Sequence, residues 1–265
     1  MKTISFKPKK SLAQNFLINQ HIQQKILQTC ELTKEDIVVE IGPGLGALTQ
    51  GILPHVKKLY AIERDPRCCQ QLETNLGSYS NFVLIQDDFL MIDLSRIQQK
   101  PLKIIGNLPF NISTPILGKL IENRFLINNI FITVQHEFGK RICSGPDTKQ
   151  YGRLTLFIQY FCEAKLHFKI KNSAFNPIPK VDSCFMALKM RKVPMVNVTR
   201  EDIFFEIIKA GFQQRRKTLL NALTKKFSKK FLLEKYRLLN FEPWIRAENL
   251  TIQNYAHLAN ALLEN

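Results

Sequence analysis

Apolar residues in this chain recur in two rhythms, and the change from one to the other divides it. Through about the first 190 residues, short and nearly unbroken apolar runs alternate with longer amphipathic stretches. Ile37-Val38-Val39-Glu40-Ile41, Lys58-Leu59-Tyr60-Ala61-Ile62-Glu63, Phe82-Val83-Leu84-Ile85-Gln86, Leu102-Lys103-Ile104-Ile105 and residues 129–135 each read as a buried strand. Helical periods fill the intervals at 21–30, at 47–55, from Arg64-Asp65-Pro66 onward, and at 151–162. Residues 166–170 and 184–190 alternate enough to be the last strands and suit an antiparallel edge pair. Around Val193-Pro194 the strand rhythm ends, and from Thr199 only helical periods follow, at 201–210, 215–227, 232–239 and 251–263. The pattern predicts an α/β domain with a mainly parallel sheet over 1–192, opened by an arm at 1–20. A small all-helical domain over 193–265 completes the chain.

Charge changes this picture most. The 265 residues carry a formal net charge of +16, which points to a polyanionic partner, with nucleic acid first and a membrane surface second. The excess is uneven: residues 189–246 hold fifteen Lys/Arg against five Asp/Glu, and no acid precedes Glu31. A run of charge is often only a solvated face, but this density and single sign favour contact with backbone phosphates. No apolar stretch approaches 18 residues, and the first ten residues lack a signal-peptide core, so a cytosolic protein without a membrane span is expected. A monomer is expected. Six scattered cysteines, none in C-x-x-C spacing, and five histidines apart from them argue for free thiols and no metal.

Candidate chemistry gathers at the ends of the predicted strands, where open α/β sheets bind ligands. Gly42-Pro43-Gly44-Leu45-Gly46 leaves the first strand as a glycine turn, suited to close approach of backbone to a ligand. Its G-x-G-x-G spacing differs from the G-x-G-x-x-G of dinucleotide sites, and Glu40 before it suits an ammonium or sulfonium group better than a diphosphate. A lone glycine turn is equally often purely structural. Glu63 ends the second strand about 20 residues after the glycines, where a carboxylate meets ribose hydroxyls in this architecture. At the third strand end Asp88 and Phe89 suit an adenine, the acid toward its amino group and the ring against its face, or else the acids cap a helical turn.

The fourth strand runs into Gly106-Asn107-Leu108-Pro109-Phe110-Asn111-Ile112-Ser113-Thr114. The Asn107 side-chain carbonyl and the Leu108 backbone carbonyl can together accept both hydrogens of an exocyclic amine, aiming its lone pair at an electrophile. Pro109 stiffens the turn, and Phe110 offers a stacking face. An ordinary strand-to-helix turn would use the same residue types. In the two-proline loop of residues 174–183, Phe175 offers a second wall for a base and Lys180 a phosphate contact, or the loop is a rigid connector. Gln213-Gln214-Arg215-Arg216-Lys217 is expected to open the second C-terminal helix.

These segments, with Lys10-Ser11-Leu12-Ala13-Gln14-Asn15-Phe16-Leu17 and Asn176-Pro177-Ile178-Pro179-Lys180-Val181-Asp182-Ser183, resemble the ribosomal RNA adenine N6-methyltransferases over nearly the whole chain. Within them the chain is most similar to the type that dimethylates two adjacent adenines near the 3′ end of small-subunit ribosomal RNA. The resemblance implies a Rossmann-like class I methyltransferase sheet with S-adenosylmethionine as cofactor and immature small-subunit ribosomal RNA as partner. By motif position, Asn15, Leu17, Gly42, Gly44, Glu63, Asp88, Phe89 and Asn107 would line the cofactor site. Asn107, Leu108, Pro109 and Phe110 would hold the target amine and its base. Phe175, Lys180, Arg215, Arg216 and Lys217 would meet RNA. The family usually carries tyrosine where this chain has Phe110, which keeps stacking and loses a hydroxyl. The rivals are a large-subunit adenine methylase and a non-catalytic ribosome-assembly factor on the same fold, with a nicotinamide dehydrogenase more distant.

Overall fold

The computed structural model describes residues 8, 14–97, 100–214 and 216–263. The lysines of the basic arm (Lys2, Lys7, Lys9, Lys10) and Arg215 lie outside the described residues. The elements are β1 (Phe16–Leu17), α1 (Gln20–Thr29), β2 (Ile37–Ile41), α2 (Thr49–Ile52), β3 (Lys58–Glu63), α3 (Pro66–Leu76), β4 (Phe82–Gln86), β5 (Leu102–Asn107), α4 (Ser113–Glu122), β6 (Ile127–Gln135) and α5 (His136–Ile142). They continue with α6 (Arg153–Phe161), β7 (Cys162–Ile170), β8 (Phe175–Asn176), β9 (Ser183–Met190), α7 (Glu201–Gln213), α8 (Leu219–Leu223), α9 (Lys229–Leu238) and α10 (Ile252–Ala261).

The first three strands of the main sheet match the bounds expected from their apolar runs, with β2 buried throughout and the edge strand β4 half-buried. The seven-stranded sheet has the order β4-β3-β2-β5-β6-β9-β7. The chain steps outward from β2 to β4, then crosses back to lay β5 and β6 on the other side of β2, all in parallel. The switch point therefore falls between β2 and β5, where such sheets bind ligands. Strand β9 returns antiparallel to β6, pairing Gln135 with Ser183 and Asn129 with Lys189.

Register aligns the working ends. Ile41 lies opposite Ile62 on β3 and Gly106 on β5, so Gly42, Glu63 and Asn107 follow in one row. A two-stranded ribbon joins the arm to the late loop, with Phe16 opposite Asn176 and Leu17 opposite Phe175. Leu17 and Phe175 are buried in the same apolar cluster as Val38, Leu48 and Ile105.

The described residues form two compact units. One holds those up to Gly139 together with Lys165–Met190; the other holds Lys140–Ala164 and those from Arg191 onward. The single boundary expected at 192/193 thus differs from the contact pattern, which gives residues 140–164 to the helical unit. Aromatic packing explains it: Phe157, Tyr160 and Phe161 of α6 meet Phe205 of α7 at ring-centroid distances of 5.2–5.9 Å. The Tyr160 hydroxyl also bonds Glu201 at 3.0 Å.

Three helices are shorter than the apolar periodicity predicts. Pro54 tightens the end of the 47–55 segment, so α2 passes into a 3-10 turn at Leu53–His55. The expected helix over 151–162 keeps only Arg153–Phe161, because Cys162 already begins β7. The expected helix over 215–227 is reduced to Leu219–Leu223, because the Thr218 hydroxyl caps Asn221 N–H and starts a new helix there. Gln213 closes α7, and a turn closed by Lys217 N–H to the Gln214 carbonyl (2.8 Å) joins it to α8. The basic residues Arg216 and Lys217 thus sit on an exposed turn and not on a helix opening.

One buried cation braces the sheet at the end opposite the working row. Lys103 Nζ reaches Asp36 at 2.7 Å and the carbonyls of Glu31 and Cys30 at 3.0 and 3.2 Å, tying β5 to the end of α1. Lys103→Met leaves that carboxylate and both carbonyls without their donor, and urea denaturation is expected to show a loss of about 2–4 kcal/mol.

Candidate active site

The turn after β2 exists in its present form because three glycines take left-handed backbone angles, with φ of +64°, +59° and +86° at Gly42, Gly44 and Gly46. A Cβ on Gly44 would lie 2.9 Å from the Phe16 ring, so the arm packs directly on the turn. A Cβ on Gly42 would meet nothing within 4 Å and would project into open space.

Glu63 is built into this turn. Its carboxylate accepts Gly44 N–H at 2.9 Å and Asp65 N–H at 2.8 Å, locking the two strand ends together. Burial raises its pKa, opposed by those backbone bonds. Glu40, one residue before the end of β2, is more deeply enclosed. Burial pushes its pKa up to about 8, against a lowering contribution from the Thr49 hydroxyl and a small raising one from Glu63. Its Oε2 has no hydrogen-bond partner among the described residues.

Asn107 ends β5. Its amide Nδ2 donates to the Asn15 carbonyl at 2.9 Å, which fixes the side-chain carbonyl in the opposite direction. Beyond it, Leu108 N–H donates to the Thr133 carbonyl at 3.0 Å, and the buried Ser113 hydroxyl donates to the Pro109 carbonyl at 3.0 Å. The Asn107-Leu108-Pro109-Phe110 turn is therefore clamped at both ends. Among the described residues, no bond is made to Asn107 Oδ1 or to the Leu108 carbonyl, which leaves two acceptors free at one place.

The arm is held by more than its two-residue strand. Gln14 Nε2 donates to Asp65 Oδ2 at 2.9 Å, and Asp65 is fully buried beside Arg67, whose guanidinium holds that carboxyl well below the usual carboxylate range. At the third strand end, Asp88 serves as a cap: its Oδ1 accepts Leu90 N–H at 2.9 Å, and its Oδ2 pairs with Arg64 at 3.1 Å. Phe89 is buried, with Lys119 Nζ 5.5 Å from its ring centre.

These groups line one cavity of about 320 Å³. Asn15, Leu17, Gly42, Gly44, Glu63, Asp88, Phe89 and all of Asn107, Leu108, Pro109 and Phe110 border it. That volume lies within the range of small-molecule sites. Arg64 and Ile62 also line it and escaped sequence reasoning, although each lies within one residue of the predicted end of β3. Lys180 is exposed and not among the lining residues. Phe175 corrects its expectation: it is 1% exposed, paired with Leu17 and packed in the core, so its ring has no face to offer a base.

The chain from residue 5 to 263 matches the family model described as ribosomal RNA adenine dimethylase. This chain belongs to the ribosomal RNA adenine dimethylase family. The ribosomal RNA small subunit methyltransferase A of Oceanobacillus iheyensis is 40% identical to it over 97% of this chain and 90% of that protein. A dimethyladenosine transferase from Plasmodium falciparum is similar in structure, with a TM-score of 0.81 and 26% identity over 92% of this chain and 95% of that one. The 23S rRNA methyltransferase ErmE, at 23% identity and a TM-score of 0.75 over 94% of this chain and all of that one, shares the fold. The α/β sheet is accordingly that of a class I S-adenosylmethionine-dependent methyltransferase, as the strand-end motifs imply. Among the described residues of this dimethylase no group of three or more His, Cys, Asp or Glu could hold a metal ion, and no helix is long and apolar enough to cross a membrane.

The pocket acids give the dimethylase a pH signature. Glu40 holds its proton up to about pH 8 when folded, whereas an unfolded glutamate loses it near pH 4.5. The unfolded chain then binds fewer protons than the folded one between those values, so stability falls as pH rises from about 4.5 to 8 and levels off above. Glu63 acts in the same direction. Glu40→Gln is expected to flatten the decline between pH 5 and 9 in urea titrations, while wild type shows it in full.

Proposed function

We propose that this protein transfers methyl groups from S-adenosylmethionine to N6 of two adjacent adenines near the 3′ end of small-subunit ribosomal RNA during subunit assembly. It works on this reading as a cytoplasmic monomer. The observation that carries the site assignment is the pair of unengaged acceptors, Asn107 Oδ1 and the Leu108 carbonyl, held at one rim of the cavity.

The residues present fit the cofactor. Gly42 leaves room where a side chain would intrude, and the Glu63 and Asp88 side chains put acids on the lining, suited to a ligand with a cationic centre. Gly42, Gly44 and Leu17 would pack against it, and Asn15 would meet it beside Asn107. The second lone pairs of the Glu63 oxygens would take its ribose hydroxyls. Asp88 and Phe89 would hold its adenine. When bound, S-adenosylmethionine supplies a methyl group activated on a sulfonium.

The chain does the rest by positioning. The target adenine must leave its stack to reach a site this enclosed. Asn107 Oδ1 and the Leu108 carbonyl then accept the two N6 hydrogens, which turns the nitrogen lone pair away from them and toward the methyl donor. Pro109 fixes the angle between the acceptors, and Phe110, half-buried on the rim, stacks on the base without needing a phenol. Among the described residues, no His, Lys, Cys or Tyr lines the cavity. The described lining thus offers no general base or covalent nucleophile of those types, and on this reading the proton leaves after the nitrogen has become cationic. A nicotinamide dehydrogenase, which needs such an acid/base group, is correspondingly disfavoured. Lys180, Arg216 and Lys217, all exposed, would hold RNA phosphates, and Arg215 joins them by sequence position.

The test uses labelled S-adenosylmethionine and small subunits lacking the modification, with the modified nucleotides identified by mass. Wild type is expected to yield dimethyladenosine in the small-subunit RNA. Asn107→Ala is expected to cut turnover by about 10²-fold or more while leaving RNA affinity within about threefold. Tight binding without transfer by wild type would replace this reading with that of an assembly factor. RNA affinity should also fall as salt rises from about 50 to 200 mM, by about 10³-fold if six phosphates are contacted.

A further inference from the structure

Trp244 is the only tryptophan in the chain, and its side chain is 69% exposed. Large aromatic side chains carry much apolar area, so one left on a surface is informative when its surroundings restrict what can cover it. Its presentation is rigid. Glu242-Pro243-Trp244-Ile245 forms a tight turn closed by Ile245 N–H to the Glu242 carbonyl at 3.0 Å, with proline at the second position. Phe241 N–H bonds the Tyr236 carbonyl at 2.8 Å, anchoring the turn to the end of α9.

The surroundings are basic. The Ile245 carbonyl accepts Leu219 N–H at 2.8 Å, so the residue after Trp244 is bonded two positions beyond Lys217. The turn carrying exposed Arg216 and Lys217 is thereby brought beside the tryptophan turn within the helical unit. Arg237 and Arg246, both exposed, flank Trp244 in sequence, and Glu242 is the one acid between them. An exposed ring among arginines and lysines suits a strand that offers both a π-face and phosphates, which a protein partner's apolar patch would not.

We infer that Trp244 is a stacking platform for an unpaired base of the substrate RNA, with Arg216 and Lys217 taking the adjoining phosphates. This contact is separate from the Phe110 site for the target adenine, and it rests on the proposal that the protein acts on ribosomal RNA. It adds a stacking contact to a surface that would otherwise read phosphate alone, favouring single-stranded over paired segments.

A lone tryptophan makes the inference directly readable, because its intrinsic fluorescence reports this position only. The full chain is titrated with a single-stranded RNA oligonucleotide, with the same sequence as a duplex, and with protein-free and fully assembled small subunits. Expected are quenching and protection from acrylamide with single-stranded and protein-free RNA, and little change with the duplex. Trp244→Ala should weaken single-strand binding and raise KM by about 5- to 100-fold with kcat unchanged, whereas Trp244→Phe should recover most of the affinity. An unshifted Tm for Trp244→Ala will show that the fold is intact. Methyl transfer by wild type with no fluorescence response to any RNA would overturn the inference and leave the proposed activity standing. Absent methyl transfer with a clear single-strand response would do the reverse. A response only to assembled subunits would assign this surface to a ribosomal protein and also overturn it.

Discussion

The register of the parallel strands is the constraint on which this protein depends. Gly42, Glu63 and Asn107 are spread over 65 positions of the chain, and no local interaction could assemble them. Backbone hydrogen bonds do so, by setting Ile41 opposite Ile62 and Gly106. Side chains on a strand alternate between faces, so a one-residue slip of β5 against β2 would turn Asn107 away from the cavity. The apolar faces of β2, β3 and β5 thus hold the register by burial, and the site is a consequence of the core.

On that frame, the polar groups in and beside the cavity are occupied differently. Glu63 and Asp88 of the lining, and Asp65 behind it, are engaged with backbone N–H groups or guanidinium and serve to shape the loops. Asn107 divides its amide, the nitrogen on the arm and the oxygen toward the cavity. Glu40 stands apart as a buried carboxyl with one oxygen unpartnered among the described residues, a destabilising feature of the kind that functional sites retain.

Much of this was legible in the sequence because the signals were local or redundant. Apolar runs marked the strands closely even where buried Glu40 and Lys103 interrupt them, and the residues just beyond each run marked the cavity. What escaped depended on long-range packing. Phe175 looks available in a proline-rich loop until β8 pairs with β1 and draws its ring into the core. The second C-terminal helix is expected from residue 215, because arginine and lysine are good helix formers, and only the Thr218 cap moves its start to Leu219. The grouping of residues 140–164 with the C-terminal helices rests on aromatic contacts with α7 that no sequence period reveals.

The bond from Asn107 to the arm is made to the backbone carbonyl of Asn15 and not to its side chain. The amide's orientation is therefore indifferent to which side chain stands at 15, yet strict about the number of residues around it. Substitutions there should drift freely through related chains as far as this bond is concerned. A single insertion or deletion between Gln14 and Leu17 would exchange the faces of the ribbon, remove the carbonyl from reach and free the amide to flip. For this bond, length more than identity is what selection must keep.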